Sequence, residues 1–307
     1  MIAAALVLLL MIGVLVFVLW KREHAGAGGG EAPRVAQTAP AATEPAEAVL
    51  DEDRILFGGV PRVIAGGGGG ADLSFKVLKN TAYISGYSES RKDPLWVAYR
   101  LFNRRPAYNL PRPTGGFITD QRIDVLVKDS DFRGTGYDRG HMAPNSAIAR
   151  CFGGAAQLET FLLTNVCPQT PPLNQDVWER LESLERAYLD TLQEVWVIDG
   201  PIFADLNGGR TQRLPSGIAV PSAFYKIVID EEGSAAATQA GKGRVRLFAV
   251  IMPQNVKGTE QPQQFVTSVR EIEKQTRLDF LWKLEDGTEE ELETKVWPVW
   301  PRPASRN

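Results

Sequence analysis

Asp138, Arg139, Gly140 and His141 place an acid, a guanidinium, a glycine and an imidazole in four consecutive positions. The 307-residue chain has two histidines, and the other, His24, lies in a Gly/Ala-rich stretch beside a long apolar segment where a site could not readily be built. Any histidine chemistry therefore belongs to His141. A neutral imidazole takes a proton from water at physiological pH, and a guanidinium holds phosphate oxygens through charge-assisted hydrogen bonds. Gly140 gives the backbone freedom to turn between the two. A base next to an anion clamp points to phosphodiester hydrolysis. The competing reading is a structural histidine satisfied by its acidic and basic neighbours, and the tetrapeptide alone does not separate the two.

Further residues come from 164 to 188. Thr164-Asn165-Val166-Cys167-Pro168-Gln169 is followed by Leu173-Asn174-Gln175, Trp178, Leu181-Glu182 and Arg186. Taken in order, these blocks resemble the DNA/RNA non-specific endonucleases, the family of mitochondrial endonuclease G and secreted bacterial nucleases. Later pieces agree: 197–203 (VIDGPIF), 220–226 (VPSAFYK) and 248–253 (FAVIMP). The resemblance covers roughly residues 75 to 285. It implies an α+β domain with the ββα-metal nuclease fold: a central antiparallel sheet, helices on both faces, and a hairpin plus helix that carry the site.

The resemblance also implies the roles. His141 is the general base toward water, and Asn174 is the single protein ligand of one Mg²⁺ (or Mn²⁺), whose remaining positions are filled by water. That arrangement suits magnesium, which sheds water reluctantly. Glu182 holds metal-bound water, Arg139 and Arg186 contact phosphate, the Asn165 backbone orients the imidazole, and Asp138 fixes the conformation of the motif. Arg122 sits about where the family has an additional substrate arginine, although a solvated surface arginine explains it equally well. Contacts to metal and phosphate ignore base identity, so DNA and RNA are both expected substrates, without sequence specificity. Two other classes stay open. One is an inactive, membrane-tethered nucleic-acid-binding module, against which the intact His141, Arg139, Asn174 and Glu182 argue. The other is a phosphodiesterase acting on lipids, for which no apolar groove can be read.

Composition constrains partners less sharply. With 44% hydrophobic residues and a net charge of −3, the chain can bury a sizeable core, and its whole surface is not that of a nucleic-acid binder. Between 89 and 150, however, eleven Lys or Arg face seven Asp or Glu, while acids gather from Glu285 to Glu293. A local basic groove on an acidic body is one reading and a mixed solvated face the other. Cys151 and Cys167 could form one disulfide or remain buried thiols. No zinc-ligand spacing and no phosphate-cradling Gly-x-x-x-x-Gly-Lys sequence occurs; the glycines at 66–70 read as linker.

These residues need elements to position them. Strands are expected at 75–78, 82–87, 95–102, 161–166, 195–200, 223–229 and 245–251. Pro171 and Pro172 stop regular pairing before a helix that opens near Asn174. At about 100° per residue, Val177, Leu181, Leu184, Tyr188 and Leu192 share its apolar face, while Asn174, Trp178, Glu182 and Arg186 form a neighbouring stripe. A second helix is expected over 263–276, 278–284 closes the domain, and the Trp/Pro-rich tail from Trp297 is expected to pack as an extended strap or to serve other contacts. Ahead of the domain (71–303), residues 1–22 read as a transmembrane helix or uncleaved signal. Ile2 to Trp20 carry no charge, and nineteen residues at 1.5 Å each span roughly 28 Å, close to a bilayer core. Residues 23–70 read as a flexible Ala/Gly/Pro-rich linker, with Ile55-Leu56-Phe57 resting loosely on the surface. The expected location is a single-pass membrane anchor with the nuclease domain periplasmic; secretion after cleavage and a mitochondrial address are the alternatives. A homodimer is left open, and no inhibitor protein can be named.

Overall fold

The computed structural model describes residues 52–65, 72–104, 108, 110–232 and 244–303. The apolar segment 2–20 and the stretch to residue 50 lie outside them, and among the described residues no helix is long and apolar enough to cross a membrane. The chain begins with a short helix, α1 (Glu52–Ile55), then β1 (Arg62–Val63), β2 (Lys76–Lys79), β3 (Tyr83–Ser88) and β4 (Asp93–Phe102). After a long loop come β5 (Asp138–His141), α2 (Asn145–Phe152), α3 (Gly154–Glu159) and β6 (Val166–Gln169). A π-helical segment, Pro172–Trp178, runs directly into α4 (Glu179–Tyr188). The remainder is β7 (Glu194–Ile202), β8 (Gln212–Arg213), β9 (Ala219–Val220), β10 (Ala223–Glu232), β11 (Arg244–Pro253), β12 (Val266–Thr267), α5 (Val269–Thr276), β13 (Leu278–Asp279) and α6 (Asp286–Thr294).

Seven strands form one antiparallel sheet in the order β12-β11-β10-β7-β4-β3-β2. Its central strands, such as β4 and β7, are buried at successive positions because both faces are covered. Tyr99, Val197, Phe224 and Phe248 point to one face and pack with α2, α4 and the π segment through Ile148, Leu181 and Val177. Their alternate neighbours Ala98, Ile198, Tyr225 and Ala249 point to the other face, onto Ile55 of α1, Ile272 of α5 and Leu292 of α6. The expected mixed architecture with helices on both faces is what forms. A separate hairpin, β5 with β6, pairs Asp138 with Gln169 and His141 with Val166.

Several expectations are corrected. Residues 52–65 are integrated into the domain: Ile55 is 1% exposed, and β1 pairs with β13, Val63 opposite Leu278. Two apolar side chains and two β-pairs were too short a signal to stand out from the glycine-rich sequence around them. The expected strand at 161–166 is instead a 3₁₀ turn, Leu163–Asn165, with pairing delayed to β6. Only 269–276 of the expected 263–276 helix forms, because Ser268 caps it, accepting a hydrogen bond from the Glu271 amide at 3.2 Å. Helix α6 was not anticipated, since its acid-rich sequence has a single large apolar side chain, Leu292, in the core. The C-terminal strap packs as expected, with Trp300 stacked edge-on against Tyr188 and Phe248, and its carbonyl accepting the Tyr188 hydroxyl at 2.7 Å. Cys151 and Cys167 are buried and form no disulfide, and the Cys151 thiol donates to the Phe102 carbonyl at 3.4 Å.

Candidate active site

The β5–β6 hairpin delivers Arg139 and His141 to one wall of a cleft, and the π segment with α4 delivers Asn174, Glu182 and Arg186 to the other. The cleft holds about 260 Å³ and is also lined by Arg112, Asn145, Ser146 and Glu179. Gly140 is required here by close approach rather than by a turn. A Cβ on it would collide with the Gln169 side chain across the hairpin, and its backbone is extended and paired with Cys167.

His141 is 9% exposed, and its Nε2 meets no hydrogen-bonding group of the protein. The ring is held by aromatic neighbours instead, Phe117 at 5.0 Å and Phe161 at 5.2 Å edge-on. Burial, reinforced by the Arg112 charge, lowers its pKa to about 3, so the imidazole is neutral at physiological pH. Asn165 does not reach the ring. Its backbone carbonyl accepts from the Met142 amide, and its carboxamide bonds both the amide and the carbonyl of Ala143, which fixes the chain immediately after His141. The expected orientation of the imidazole by the Asn165 backbone is thus replaced by aromatic packing.

Asp138 sits behind Asn174. Its Oδ2 accepts from Asn174 Nδ2 at 2.9 Å and from Gln175 Nε2 at 2.8 Å. With Nδ2 committed, Asn174 has its Oδ1 left to offer a cation. Glu182 is half-buried, and burial raises its pKa to about 7; Lys226 and Arg186 oppose that rise, while Glu185 and Glu179 add to it. An amide oxygen left free by the hydrogen bond to Asp138, with a carboxylate lining the same cleft, is a hard-oxygen donor set, which fits one divalent ion of the magnesium kind. Arg139 is braced by Asp129: its Nε lies 2.6 Å from Asp129 Oδ1, and its Nη2 donates to the Asp129 backbone carbonyl at 2.8 Å. Arg186 pairs with Glu179 at 2.8 Å.

The π segment explains why Asn174 and Glu182 share a wall. On a regular α-helix, residues eight apart lie about 80° out of phase at 3.6 residues per turn. Through Pro172–Trp178 the i→i+5 pattern takes more residues per turn, which brings the two side chains nearer in phase. The expected i, i+4 stripe is also altered at Trp178, whose ring is buried at 1% exposure rather than facing the cleft.

Arg122 is not in the cleft. Its guanidinium is occupied by Asp120 at 2.6 and 2.9 Å, the Lys79 carbonyl at 2.8 Å and Asn80 Oδ1 at 2.9 Å, which leaves it a structural clamp on the buried Asp120. The third arginine of the cleft, beside Arg139 and Arg186, is Arg112, its guanidinium 5.1 Å from the Phe161 ring centroid. The available sequence signal was its position between Pro111 and Pro113, whose fixed φ angles stiffen a loop that presents a side chain.

The model of the family described as DNA/RNA non-specific endonuclease matches residues 68–287. A nuclease of Nostoc sp. is 30% identical over 226 residues, covering 73% of this chain and 79% of its own length. The chain belongs to the DNA/RNA non-specific endonucleases. It is therefore a hydrolase of the endonuclease class. Mitochondrial endonuclease G of Bos taurus is 30% identical over 238 residues, covering 72% of this chain and 76% of the relative. Among solved structures, that of the EndoG/EndoGI complex, which concerns the mechanism of EndoG inhibition, superposes with a TM-score of 0.62 at 25% identity. It covers 76% of this chain and 91% of the other. The large antiparallel sheet of this endonuclease is thus the fold of that relative.

Proposed function

We propose that this endonuclease hydrolyses phosphodiester bonds of DNA and RNA without sequence specificity, with His141 as general base toward water and Asn174 as the protein ligand of one Mg²⁺ or Mn²⁺. The observation that carries the reading is the unpartnered His141 Nε2 in a cleft shared with three arginines, an amide oxygen and a carboxylate. Arg112, Arg139 and Arg186 bind the phosphate oxygens where negative charge builds. Glu182 holds water in place beside Asn174. A bound divalent ion would supply charge stabilisation for the phosphoryl oxygens and the departing sugar oxygen.

An imidazole with a pKa near 3 is a weak base, and the geometry supports a remedy. Arg112 is a charge that lowers the His141 pKa; a phosphate bound to Arg112 neutralises that charge and brings its own negative charge near the ring. Burial, the larger cause of the lowered pKa, is not relieved in this way, so the base strengthens only in part when substrate is present. Phosphate contacts carry no base information, so cleavage is insensitive to sequence and weakens with salt.

Segment 2–20 is proposed as a membrane anchor or an organellar address. The bovine relative is mitochondrial by name, which favours the second; recovery of the full chain in a washed membrane fraction would favour the first. For the reaction, the full chain is incubated with plasmid DNA and with RNA, with and without EDTA. Cleavage of both, stopped by EDTA and reduced about 10²- to 10⁴-fold in His141→Ala, is the expected outcome. Undiminished cleavage by that variant would remove His141 as the base.

A further inference from the structure

Behind the cleft, on the sheet side of α4, a charged cluster is sealed from solvent. Lys226 on β10 is 0% exposed, and its Nζ lies 2.8 Å from Glu185 Oε1, 3.1 Å from Asp199 Oδ2 and 3.0 Å from the Tyr99 hydroxyl. Tyr99 in turn donates to Glu185 Oε2 at 2.9 Å. The same ammonium sits 4.5 Å from the centroid of the Trp178 ring. Burial of an ammonium with carboxylates is a poor source of stability, since well-packed apolar side chains of similar volume often serve as well or better. The position of the cluster gives it another use.

Trp178 closes the π segment that carries Asn174, and Glu185 lies on α4 between Glu182 and Arg186. A single Lys226 therefore holds both halves of the helical wall where the winding changes from π to α. We propose that Lys226 is a positioning residue for the cleft: it fixes the phase of the π segment against α4, so that Asn174 and Glu182 face the same ion. One ammonium faces Glu185 and Asp199, so the cluster has no positive charge to spare. Removal of Lys226 leaves two buried carboxyl groups, Glu185 and Asp199, without their partner.

This inference rests on the reading of Asn174 and Glu182 as the cation site. The test uses the metal-free full chain with Mn²⁺ as probe, its binding followed by the loss of free-ion electron paramagnetic resonance signal and its fold by circular dichroism and thermal unfolding. In the double variant Lys226→Met with Glu185→Gln, which removes the ion pair together, the expected result is native circular dichroism with Mn²⁺ affinity weakened about tenfold or more. Lys226→Arg, which keeps the charge, is expected to retain most of the affinity. Tyr99→Phe keeps charge and volume while removing the hydroxyl bridge, and is expected to weaken Mn²⁺ binding about threefold even if the double variant fails to fold. Affinity within twofold of the parent in a folded double variant, or in Tyr99→Phe when the double variant does not fold, would overturn the proposal. Asn174→Ala is the control for the site itself: if it leaves Mn²⁺ binding intact, the cation site is elsewhere and that reading fails, independently of Lys226.

Discussion

Asp138 provides a quantitative test of how the cleft is organised, because it accepts hydrogen bonds from Asn174 and Gln175 without lining the cleft itself. In Asp138→Ala the Asn174 carboxamide loses the acceptor that holds Nδ2, so the amide can rotate and Oδ1 no longer has a fixed direction. A hydrogen bond to a charged acceptor contributes about 1.5–3 kcal/mol, and the half-exposed setting of Asp138 argues for the lower figure. At roughly 1.4 kcal/mol per decade, the half-saturating Mg²⁺ concentration should rise about tenfold, within the range expected for groups that orient a metal ligand. Asp138→Asn keeps an acceptor without the charge and should fall between the variant and the parent. The assay is plasmid cleavage as a function of Mg²⁺, with thermal unfolding of the metal-free protein as control for fold. Since rotation of the amide affects metal occupancy, the rate at saturating Mg²⁺ should recover most of the parent value. An unchanged half-saturation point in a folded Asp138→Ala protein would refute the reasoning, because it would mean that the Asn174 amide is oriented by something else or does not bind the ion.

Three further outcomes follow from the same geometry. Arg112→Ala should raise KM for nucleic acid and lower the slope of log affinity against log salt by about one, because it removes one phosphate contact; filter binding at several salt concentrations measures it. Arg122→Ala should leave that slope unchanged and lower thermal stability instead, since Arg122 is committed to Asp120 and to the backbone of β2. In Glu293→Gln the dependence of stability on pH should flatten. Burial, and then the Glu273 charge, raise the Glu293 pKa from 4.5 to about 8, so the folded state keeps a proton that the unfolded chain gives up. Its contribution is complete below about pH 4.5, falls as pH rises from there and is gone above about 8, hence the variant should gain on the parent between about pH 4.5 and pH 8 and keep that margin above. Parallel unfolding temperatures of the two proteins between pH 6 and pH 9 would contradict this.

The sequence by itself determined the chemistry available and most of the framework. Long β-branched and aromatic runs such as 95–102, 223–229 and 245–251 can be satisfied only by pairing within a covered sheet, and β4, β10 and β11 follow them closely. The one usable histidine and the arginine beside it were legible from residue type, and the amide and carboxylate eight residues apart were legible through the family resemblance of the blocks that carry them. Tertiary structure decided which of two further arginines reaches the cleft. Arg112 and Arg122 lie in the same loop-rich stretch, and only the folded chain shows that Asp120, Asn80 and the Lys79 carbonyl consume one of them while the other faces His141. It also decided the winding of Pro172–Trp178, because a periodic pattern read at 100° per residue assumes the helix type it is trying to establish. The inclusion of residues 52–65 and of α6 depended on pairing and burial between the two ends of the domain: β1 meets β13, and Ile55 and Leu292 enter the same apolar cluster. Local pattern cannot report such contacts, since each segment alone buries too little apolar surface to announce itself and is stabilised only by the partner that the fold brings from more than 200 residues away.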